Sequence, residues 1–455
     1  MGLVASPTYL LAVVVLAFGG IPKGYDEGGF SASVTLPAFK NDYGLNKSLW
    51  IHNATGLANR TVNITSFGVL GAAIGALIAF FLNDKIGRLW SYRVAILMWA
   101  SGILMQVFSS GIFGFLLFAR VWGGFGAGGL TVIAPLFLSE IAPTKSRGIV
   151  VSRHEECITA IARLRGLSRD DPALVDEHEK IELEAIVLVE MTSASIIDTA
   201  KDCFTIWSLR SRYLLTISMH IVAQWTGGNG ITYYISDIFQ YAGVKGSQTS
   251  LITSGAYGIV KLVITMIFAW GLIDRIGRRR CFLAGLTLQG ATHIYMAVYF
   301  GAIGSTNRHA SDAAIASVFV FATGWSIGLC TIPYIYGAEI FPTKNRSFAY
   351  ATTMSLHWFC QFAVVRVTPV MLAALNKWGA YLVWAIICAV GIVVLGLWAP
   401  ETKGVPLECM SKLFDPPWYK CWRSKVDTAD VYQSTFEEKG FEKGSIEQRK
   451  VEARS

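Results

Sequence analysis

Amide and hydroxyl side chains are concentrated in one apolar stretch near the middle of the chain. Gln224, Asn229, Tyr233 and Tyr234 surround a pair of glycines there. Gln and Asn side chains donate and accept hydrogen bonds without carrying a charge, as binding of a hydroxylated small molecule requires. They cannot all share one face of a regular helix, but the glycines can open the helix between them. The alternative is that they only join neighbouring helices.

Two residues of opposite charge lie inside apolar stretches that are far apart in the sequence. Asp26 lies where glycines interrupt the first stretch, and Arg120 opens a glycine-rich one. A charge inside a membrane span costs about 2.5–3.5 kcal/mol on insertion scales, so Asp26 should face a cavity and take a partner. Arg120 is the candidate partner. A purely structural ion pair, or an acid at the membrane interface, is the alternative.

Other aromatic and basic residues within apolar stretches are candidates for a binding site. Trp325 and Tyr334 can stack on a ring, although aromatic residues in spans are more often packing residues. If Lys261 and Arg366 both face a cavity, they favour a carboxylate ligand such as quinate or a sugar acid; otherwise they snorkel or pair structurally.

The histidines and cysteines give no sign of a metal or a cofactor. His220, His293 and His357 stand alone without metal-ligand spacing, and we interpret them as packing residues. All eight cysteines fall in spans or on the side interpreted below as cytoplasmic, so we expect no external disulfide. No nucleotide-binding glycine loop is present.

The apolar stretches predict helices that span a membrane. Of 455 residues, 53% are hydrophobic and 15% charged, with a mean hydropathy of +0.46, whereas soluble domains carry about 25% charged residues. Uncharged runs such as 66–82 and 381–399 match the roughly 18 residues that a spanning helix needs. We predict an all-α, multi-pass membrane protein with about ten spans.

The net charge of +8 is arranged as a topology signal rather than as a nucleic-acid surface. Lys and Arg occupy alternate loops and the C-terminal tail, which places those loops and both termini in the cytoplasm. The first external loop contains three glycosylation sequons, at Asn53, Asn59 and Asn63. They predict a eukaryotic glycoprotein of the cell surface or of an endomembrane, with the plasma membrane as the expected location, although the third sequon adjoins the next span. We expect a monomer in the lipid bilayer that binds no nucleic acid.

Two charged motifs occur twice, in the same order. D-(K/R)-I-G-R occurs at 84–88 and 274–278, and E-I-x-P-T-K-x-R at 140–147 and 339–346. This repeat predicts an N-terminal bundle at 1–152, a linker at 153–212, a six-span bundle at 213–400 and a partly disordered tail at 401–455. After its second motif the C-terminal half has two more spans, and the N-terminal half has none. Two spans are therefore missing from the first bundle.

Taken together, the motifs resemble those of the sugar porter family of the major facilitator superfamily. The resemblance includes both repeated motifs, R-x-x-G-G at Arg120 and P-E-T-K-G at 400–404, and it covers nearly the whole chain. Segments 21–36 and 364–371 are most similar to fungal hexose and quinate-type transporters. The family implies two six-helix bundles that rock around a central site, here without helices five and six.

The resemblance implies proton symport of a monosaccharide or related polyhydroxylated compound, with no enzymatic activity and no cofactor. In similar porters an acid at the position of Asp26 pairs with the arginine of R-x-x-G-G and releases it on protonation. The segment that binds sugar hydroxyls begins with two glutamines in the family, and here Ala223 replaces the first. Tyr334 stands where the family more often has tryptophan.

The charged motifs imply a cytoplasmic gate. We expect their residues to form charge networks that hold the bundles closed while the site faces outward, or, alternatively, only to orient the chain. The candidate gating residues are Asp84, Arg88, Glu140, Arg147, Asp274, Arg275, Arg278, Arg279, Glu339, Arg346 and Glu401.

The missing spans support a second hypothesis. Without helices five and six, polar faces of helices one to four are left poorly covered, as expected of a transport-inactive sugar sensor, or of a truncated or mis-predicted gene product. Sequencing the transcript across Ser152 and Arg153 distinguishes a mis-predicted gene product, whose transcript contains the two spans, from a chain that truly lacks them.

Overall fold

The computed structural model shows an almost entirely helical chain. Helices are expected in a bilayer, because each satisfies its own backbone hydrogen bonds where no water is available. The structure describes residues 7–29, 33–34, 36–46, 54–141, 196–243, 247–304, 307–405 and 407–424.

In the first half, three long helices follow a broken first segment. The helices are α1 (Pro7–Ala17), α2 (Ile21–Gly24), α3 (Pro37–Asp42), α4 (Ala54–Ile86), α5 (Arg88–Val107) and α6 (Phe113–Ile141).

The second half contains more helices, several of them interrupted by short π-helical turns. They are α7 (Ile196–Thr205), α8 (Trp207–Trp225), α9 (Gly228–Tyr233), α10 (Ile235–Tyr241), α11 (Ser247–Ile267), α12 (Ile273–Ile276), α13 (Arg278–Val298), α14 (Arg308–Gly324), α15 (Ile332–Glu339), α16 (Thr343–Ala374) and α17 (Trp378–Trp398).

Six helical segments in the described ranges are long and apolar enough to cross a membrane, and two shorter apolar helices accompany them. The six are Asn59–Asn83, Phe113–Leu138, Arg278–Ile303, Arg308–Glu339, Asn345–Ala374 and Trp378–Trp398. The count of ten spans stays a prediction.

Two helices are broken where the sequence places glycines among polar residues. After α1 the chain forms a 3-10 turn at Phe18–Gly20 and a π-helical turn at Tyr25–Gly29, which carries Asp26. Between α8 and α9, Gly227 adopts a φ of +84°, a conformation that favours glycine. The predicted opening of this helix is confirmed, and it turns Gln224 and Asn229 toward each other.

The domain boundaries that the sequence predicts stay predictions, with two structural details. Helices α7 and α8 begin within the predicted linker, so regular structure starts before residue 213. In the predicted tail, 3-10 helices at Leu407–Phe414 and Trp418–Arg423 bury Phe414 and Cys421. The remainder of the linker, up to residue 195, and residues 425–455 lie outside the described ranges.

Glycines let α4 and α6 pack at backbone contact. A Cβ atom on Gly75 would lie 2.1 Å from the carbonyl oxygen of Phe125, and one on Gly128 would lie 1.9 Å from that of Ala72. No side chain fits at those distances. The sequence GGFGAGG at 123–129 is therefore a helix-packing surface, and it holds Arg120 at a defined position on α6.

The two halves meet along α4 and α16. Phe80 and Phe348 lie with ring centroids 5.8 Å apart near one end of the contact. In the middle, the Ser355 hydroxyl donates to the carbonyl oxygen of Ala73 at 2.9 Å. A single cluster of buried apolar residues includes residues of both halves. This interface surrounds the polar residues described below.

We predict that Gly128→Ala lowers the free energy of unfolding by about 1–3 kcal/mol, because the added methyl group overpacks the α4–α6 contact. Gly114→Ala is the matched control on the same helix, since a Cβ there meets no heavy atom within 4 Å. The melting temperatures of the detergent-purified variants provide the measurement. Equal melting temperatures would contradict so close a contact.

Candidate functional site

A buried ion pair links the broken first segment to α6. The Arg120 guanidinium donates to the Asp26 carboxylate, with the side chains 1% and 17% exposed. Arg120 also donates to the carbonyl oxygens of Ile64 and Thr65, at 3.0 and 3.4 Å. A Cβ on Gly68 would lie 2.6 Å from its Nη2 atom, so only glycine leaves room for the guanidinium. The pairing that the sequence predicts is present.

A second polar cluster lies between the two halves and begins at the break between α8 and α9. The Asn229 amide donates to Gln224 Oε1 at 2.8 Å. Gln224 Nε2 in turn lies 2.7 Å from Nε2 of His357, which projects from α16. All three side chains are at most 2% exposed. The broken helix therefore brings two amides onto one imidazole.

His357 extends this cluster in two further directions. Its Nε2 atom lies 2.9 Å from the Tyr334 hydroxyl on α15, and its Nδ1 atom lies 3.1 Å from Nδ1 of His220 on α8. We call Gln224, Asn229, His220, His357 and Tyr334 the central network. Every member comes from the second half of the chain.

Lys23 joins the central network from the first half. Its ammonium group donates to the Tyr334 hydroxyl and lies 4.7 Å from the centroid of the Tyr334 ring and 5.2 Å from that of Trp358. The Trp358 indole in turn donates to the Thr131 hydroxyl on α6 at 3.0 Å. Polar contacts therefore join the two halves at Lys23, which precedes Asp26 by three residues in the sequence.

The central network can both donate and accept hydrogen bonds. Within the described residues, the buried atoms Asn229 Oδ1 and His220 Nε2 have no hydrogen-bond partner. Leaving such an atom unsatisfied costs about 1–3 kcal/mol, and such exceptions call for a functional explanation. The arrangement is suited to binding a small molecule with several hydroxyl groups.

Three aromatic residues predicted as binding residues, Tyr233, Tyr234 and Trp325, lie beside the break between α8 and α9. Tyr233 is buried with residues of the first half, and the Tyr234 hydroxyl donates to the carbonyl oxygen of Val365 at 3.1 Å. Trp325 covers Gly228 so closely that a Cβ there would lie 1.8 Å from its ring. Direct ligand contact by these three residues stays a prediction, whereas Tyr334 lies within the network.

The two cations proposed for a carboxylate ligand do not converge. Lys261 donates to the Thr232 hydroxyl at 3.4 Å and lies 5.9 Å from the centroid of the Trp325 ring, within the second half. Arg366 is exposed and donates to Asn63 Oδ1 at 2.5 Å, between α16 and α4. The joint site at Lys261 and Arg366 is therefore not formed. Asn63 belongs to the third sequon, and its side chain is engaged in this contact.

The cation that does reach the central network was missed from the sequence. Lys23 lies three residues before Asp26, so both side chains project from the same side of one helical turn. This spacing could have identified Lys23 as a second charge near the site. The interpretation of the histidines as packing residues is wrong for His220 and His357, which hydrogen-bond in the network. His293 lies outside the network: its ring packs among Phe321, Tyr381 and Trp384, and its Nε2 atom lies 2.9 Å from the backbone carbonyl oxygen of Thr226.

The charged motif of the second half forms ion pairs. Arg278 lies 2.8 Å from Asp274, which is 72% exposed, and 3.5 Å from Glu339. The backbone N–H of Arg278 donates to Glu401 Oε1 at 2.9 Å. These contacts tie the α12–α13 loop to the ends of α15 and α17 within one half.

Other candidate gating residues contact backbone carbonyl groups. Arg279 donates to Gly396, Arg346 to Phe341 and Arg88 to Asn83, while the carbonyl of Arg275 accepts from Lys403. The side chains of Asp84 and Glu140, and all of Arg147, lie outside the described residues. A gate between the halves therefore stays a prediction.

Comparison with known proteins identifies the family. The model of the family described as "Sugar (and other) transporter" matches residues 12–160 and 149–414. A probable quinate permease of Aspergillus terreus is 26% identical, over 97% of this chain and 94% of that protein. The hexose transporter HXT13 of Saccharomyces cerevisiae is also 26% identical, over 92% and 85%. These relatives are transporters rather than enzymes.

Solved transporter structures share the fold. The proton:xylose symporter XylE, bound to 6-bromo-6-deoxy-D-glucose, has a TM-score of 0.65 and 17% identity, covering 90% of this chain and all of that one. The fucose:proton symporter FucP of E. coli has a TM-score of 0.52 and 13% identity, with coverage of 90% and 100%. The predicted all-α major facilitator fold is confirmed.

The relatives contain sequence that this chain lacks. The alignment with the A. terreus permease extends over 526 positions, so at least 71 of them have no counterpart among the 455 residues here. The two segments matched by the family model meet between residues 149 and 160. This is where the repeat places the two missing spans.

We predict that the ion pairs Asp26–Arg120 and Asp274–Arg278 differ sharply in their contribution to the free energy of unfolding. Asp26→Ala leaves the buried Arg120 guanidinium without its carboxylate and should cost about 3–5 kcal/mol. Asp274→Ala, the matched control, removes a carboxylate that is 72% exposed and should cost at most about 1 kcal/mol. Thermal unfolding of the detergent-purified variants tests this, and similar shifts for both would contradict it.

Proposed function

The chain belongs to the sugar (and other) transporter family, and on that premise we propose that it is a secondary active transporter. It carries a monosaccharide or a related polyhydroxylated compound by proton symport and alternating access. The observation that carries this proposal is the central network, in which Lys23 of the first half meets Tyr334 of the second half. A ligand that binds there touches both halves and biases their relative position.

The chemistry of the central network supports a hydroxylated substrate. Gln224 and Asn229 present amides beside the imidazole of His357, and Trp358 and Tyr334 present ring faces. An amide can donate a hydrogen bond to a hydroxyl group or accept one from it, and an aromatic face packs on the apolar face of a ligand ring. The relatives named as quinate permeases and as a hexose transporter act on compounds of this type.

The buried ion pair supports proton coupling. Protonation of Asp26 removes its negative charge and weakens its hold on Arg120, which retains the carbonyl oxygens of Ile64 and Thr65. The Arg120 guanidinium already carries its proton, so the carboxylate, which is also the more exposed member at 17% against 1%, is the one that can accept a proton. Asp26 lies one turn from Lys23, so its protonation can alter the contact between Lys23 and Tyr334.

The same proposal includes the cellular setting. The chain is a multi-pass membrane protein, and the basic loops support cytoplasmic termini. Sequons at Asn53 and Asn59 support a plasma-membrane location, with the protein acting as a monomer in the bilayer.

A second candidate function is that of a transport-inactive form, either a sensor or a truncated product. The gap of at least 71 positions relative to the A. terreus permease favours it. Apolar side chains of α1 such as Leu11 and Val14 are 64% and 51% exposed. In the second half, by contrast, α8 packs on α16 and α17. The sequence of the first half contains no equivalent of these two helices.

Uptake assays decide between the two functions. We expect this chain to take up labelled glucose, myo-inositol or quinate when it is expressed in transporter-deficient yeast, with more uptake at low external pH. The comparison is a longer version of the chain that contains two additional spans after Ser152. Its sequence comes from a transcript that is sequenced across that point. If this chain takes up none of the three compounds and the longer version takes up at least one, the inactive form is correct.

We further predict that Asp26→Asn abolishes accumulation against a gradient but leaves exchange of labelled for unlabelled substrate. Asparagine retains a hydrogen-bond acceptor for Arg120 and cannot take up or release the proton. Asp312→Asn, which changes an exposed carboxylate on α14 outside the candidate gating residues, is the control and should retain both activities. Accumulation that persists unchanged in Asp26→Asn would exclude coupling through this residue.

A further inference from the structure

A groove lined by tryptophans lies where α8 and α17 meet the C-terminal 3-10 helix Trp418–Arg423. It has a volume of about 230 Å³, and its walls are mainly apolar. Trp207 and Trp418 are 45% and 41% exposed, so the groove is open to the surroundings of the protein. An exposed apolar surface of this kind marks an interaction site. The residues that form its walls include Trp207, Arg210, Leu214, Val394, Trp398 and Trp418.

The groove extends from the end of an apolar span toward the middle of the membrane. Trp398 is the last residue of the span Trp378–Trp398, and Trp207 is the first residue of α8. Tryptophan is enriched at the membrane–water interface, because its ring is apolar while its N–H needs a polar partner. The Trp398 N–H donates to the Ser211 hydroxyl at 3.1 Å. Leu214 lies seven residues after Trp207, so the groove reaches roughly 10 Å along α8 at about 1.5 Å per residue.

The third wall of the groove is held in place by aromatic packing. The rings of Trp398 and Trp418 lie with their centroids 6.0 Å apart, at an interplanar angle of 62°. Cys421, on the same 3-10 helix as Trp418, is fully buried where this helix packs on α17. The groove is therefore formed by the fold itself, before any ligand binds.

Cations line this groove, and its three helices carry no carboxylate. The Arg210 guanidinium lies 5.0 Å from the centroid of the Trp207 ring, a cation–π contact that leaves its N–H donors available. Within the part of the chain that the structure describes, Arg210 forms no ion pair. Asp415, three residues before the 3-10 helix, attracts Arg212. The three helices contain four cations and neither Asp nor Glu: Arg210, Arg212, Lys420 and Arg423.

We propose that the groove binds one anionic phospholipid, with an acyl chain between the tryptophan rings and the phosphate against Arg210. The guanidinium donors form a fork that matches phosphate oxygens, and basic pockets between membrane helices recognise anionic headgroups. The basic loops predict that this end of the molecule faces the cytoplasm, the side on which a cell membrane carries its anionic lipids. The inference goes beyond the proposed transport function and does not depend on the substrate or on proton coupling.

The test compares two phospholipids that have the same acyl chains. Dioleoylphosphatidylglycerol has a net negative charge, whereas the choline group of dioleoylphosphatidylcholine neutralises its phosphate. Native mass spectrometry of the detergent-purified full chain measures the dissociation constant of the first lipid that binds. We expect the anionic lipid to bind about tenfold more tightly, as one hydrogen bond between charged groups supplies. Equal affinities would overturn the proposal, and so would binding of neither lipid, as expected if a segment of the chain fills the groove.

Two arginine variants locate the effect. Arg210→Gln should bind both lipids equally, because it removes the charge beside the groove. Arg93→Gln is the matched control, since Arg93 is exposed and lies 4.8 Å from the centroid of the Trp90 ring on α5, outside the groove. This control should retain the tenfold preference. A preference that persists in Arg210→Gln would refute the assignment.

A third variant and a competitor test the acyl-chain part of the site. Leu214→Trp places a larger ring in the groove and should weaken the binding of both lipids, which keeps the proposal testable if Arg210→Gln does not fold. Unchanged affinities in Leu214→Trp would count against the groove. Glycerophosphoglycerol, the same headgroup without acyl chains, should not compete at large molar excess. Competition by it would show that the site takes a free phosphate and would overturn the lipid assignment.

Discussion

The constraint on which the structure depends is that a charge in a water-poor interior needs a partner. Arg120 is buried on α6, and its partner Asp26 comes from the first segment, which leaves regular helical geometry at that point. Gly68 leaves space for the guanidinium, and the glycines that follow Arg120 bring α4 against α6. The broken segment and the tight helix packing together place this ion pair, and Lys23 lies one turn before it.

The central network places a functional contact at the boundary between the halves. Lys23 and Thr131 approach from the first half, and Tyr334, His357 and Trp358 from the second. Each of these polar groups can bond either to another residue of the protein or to a ligand, so the boundary between the halves has two alternative sets of contacts. A site built in this way connects ligand binding to the relative position of the halves without a separate linking element.

Several features could be predicted from the sequence because they depend on composition and local geometry. Charge-free runs predicted the helices, repeated motifs predicted the family, and paired glycines predicted the break beside Gln224. The partnership of Asp26 and Arg120 was also predictable, since intramembrane charges are few and each needs a match. The roles of His220 and His357 were not, because a lone histidine has the same sequence appearance whether it packs or hydrogen-bonds.

By itself the sequence determined that this is a helical membrane protein with a repeated motif order, a broken first segment, and two spans fewer in its first half than the repeat predicts. These properties follow from hydropathy, spacing and glycine content, which act locally. Only the tertiary structure decided which intramembrane cation reaches the binding network: Lys23, rather than Lys261 or Arg366. The reason is physical, since side chains more than 300 residues apart meet only when α15 and α16 pack against the first segment.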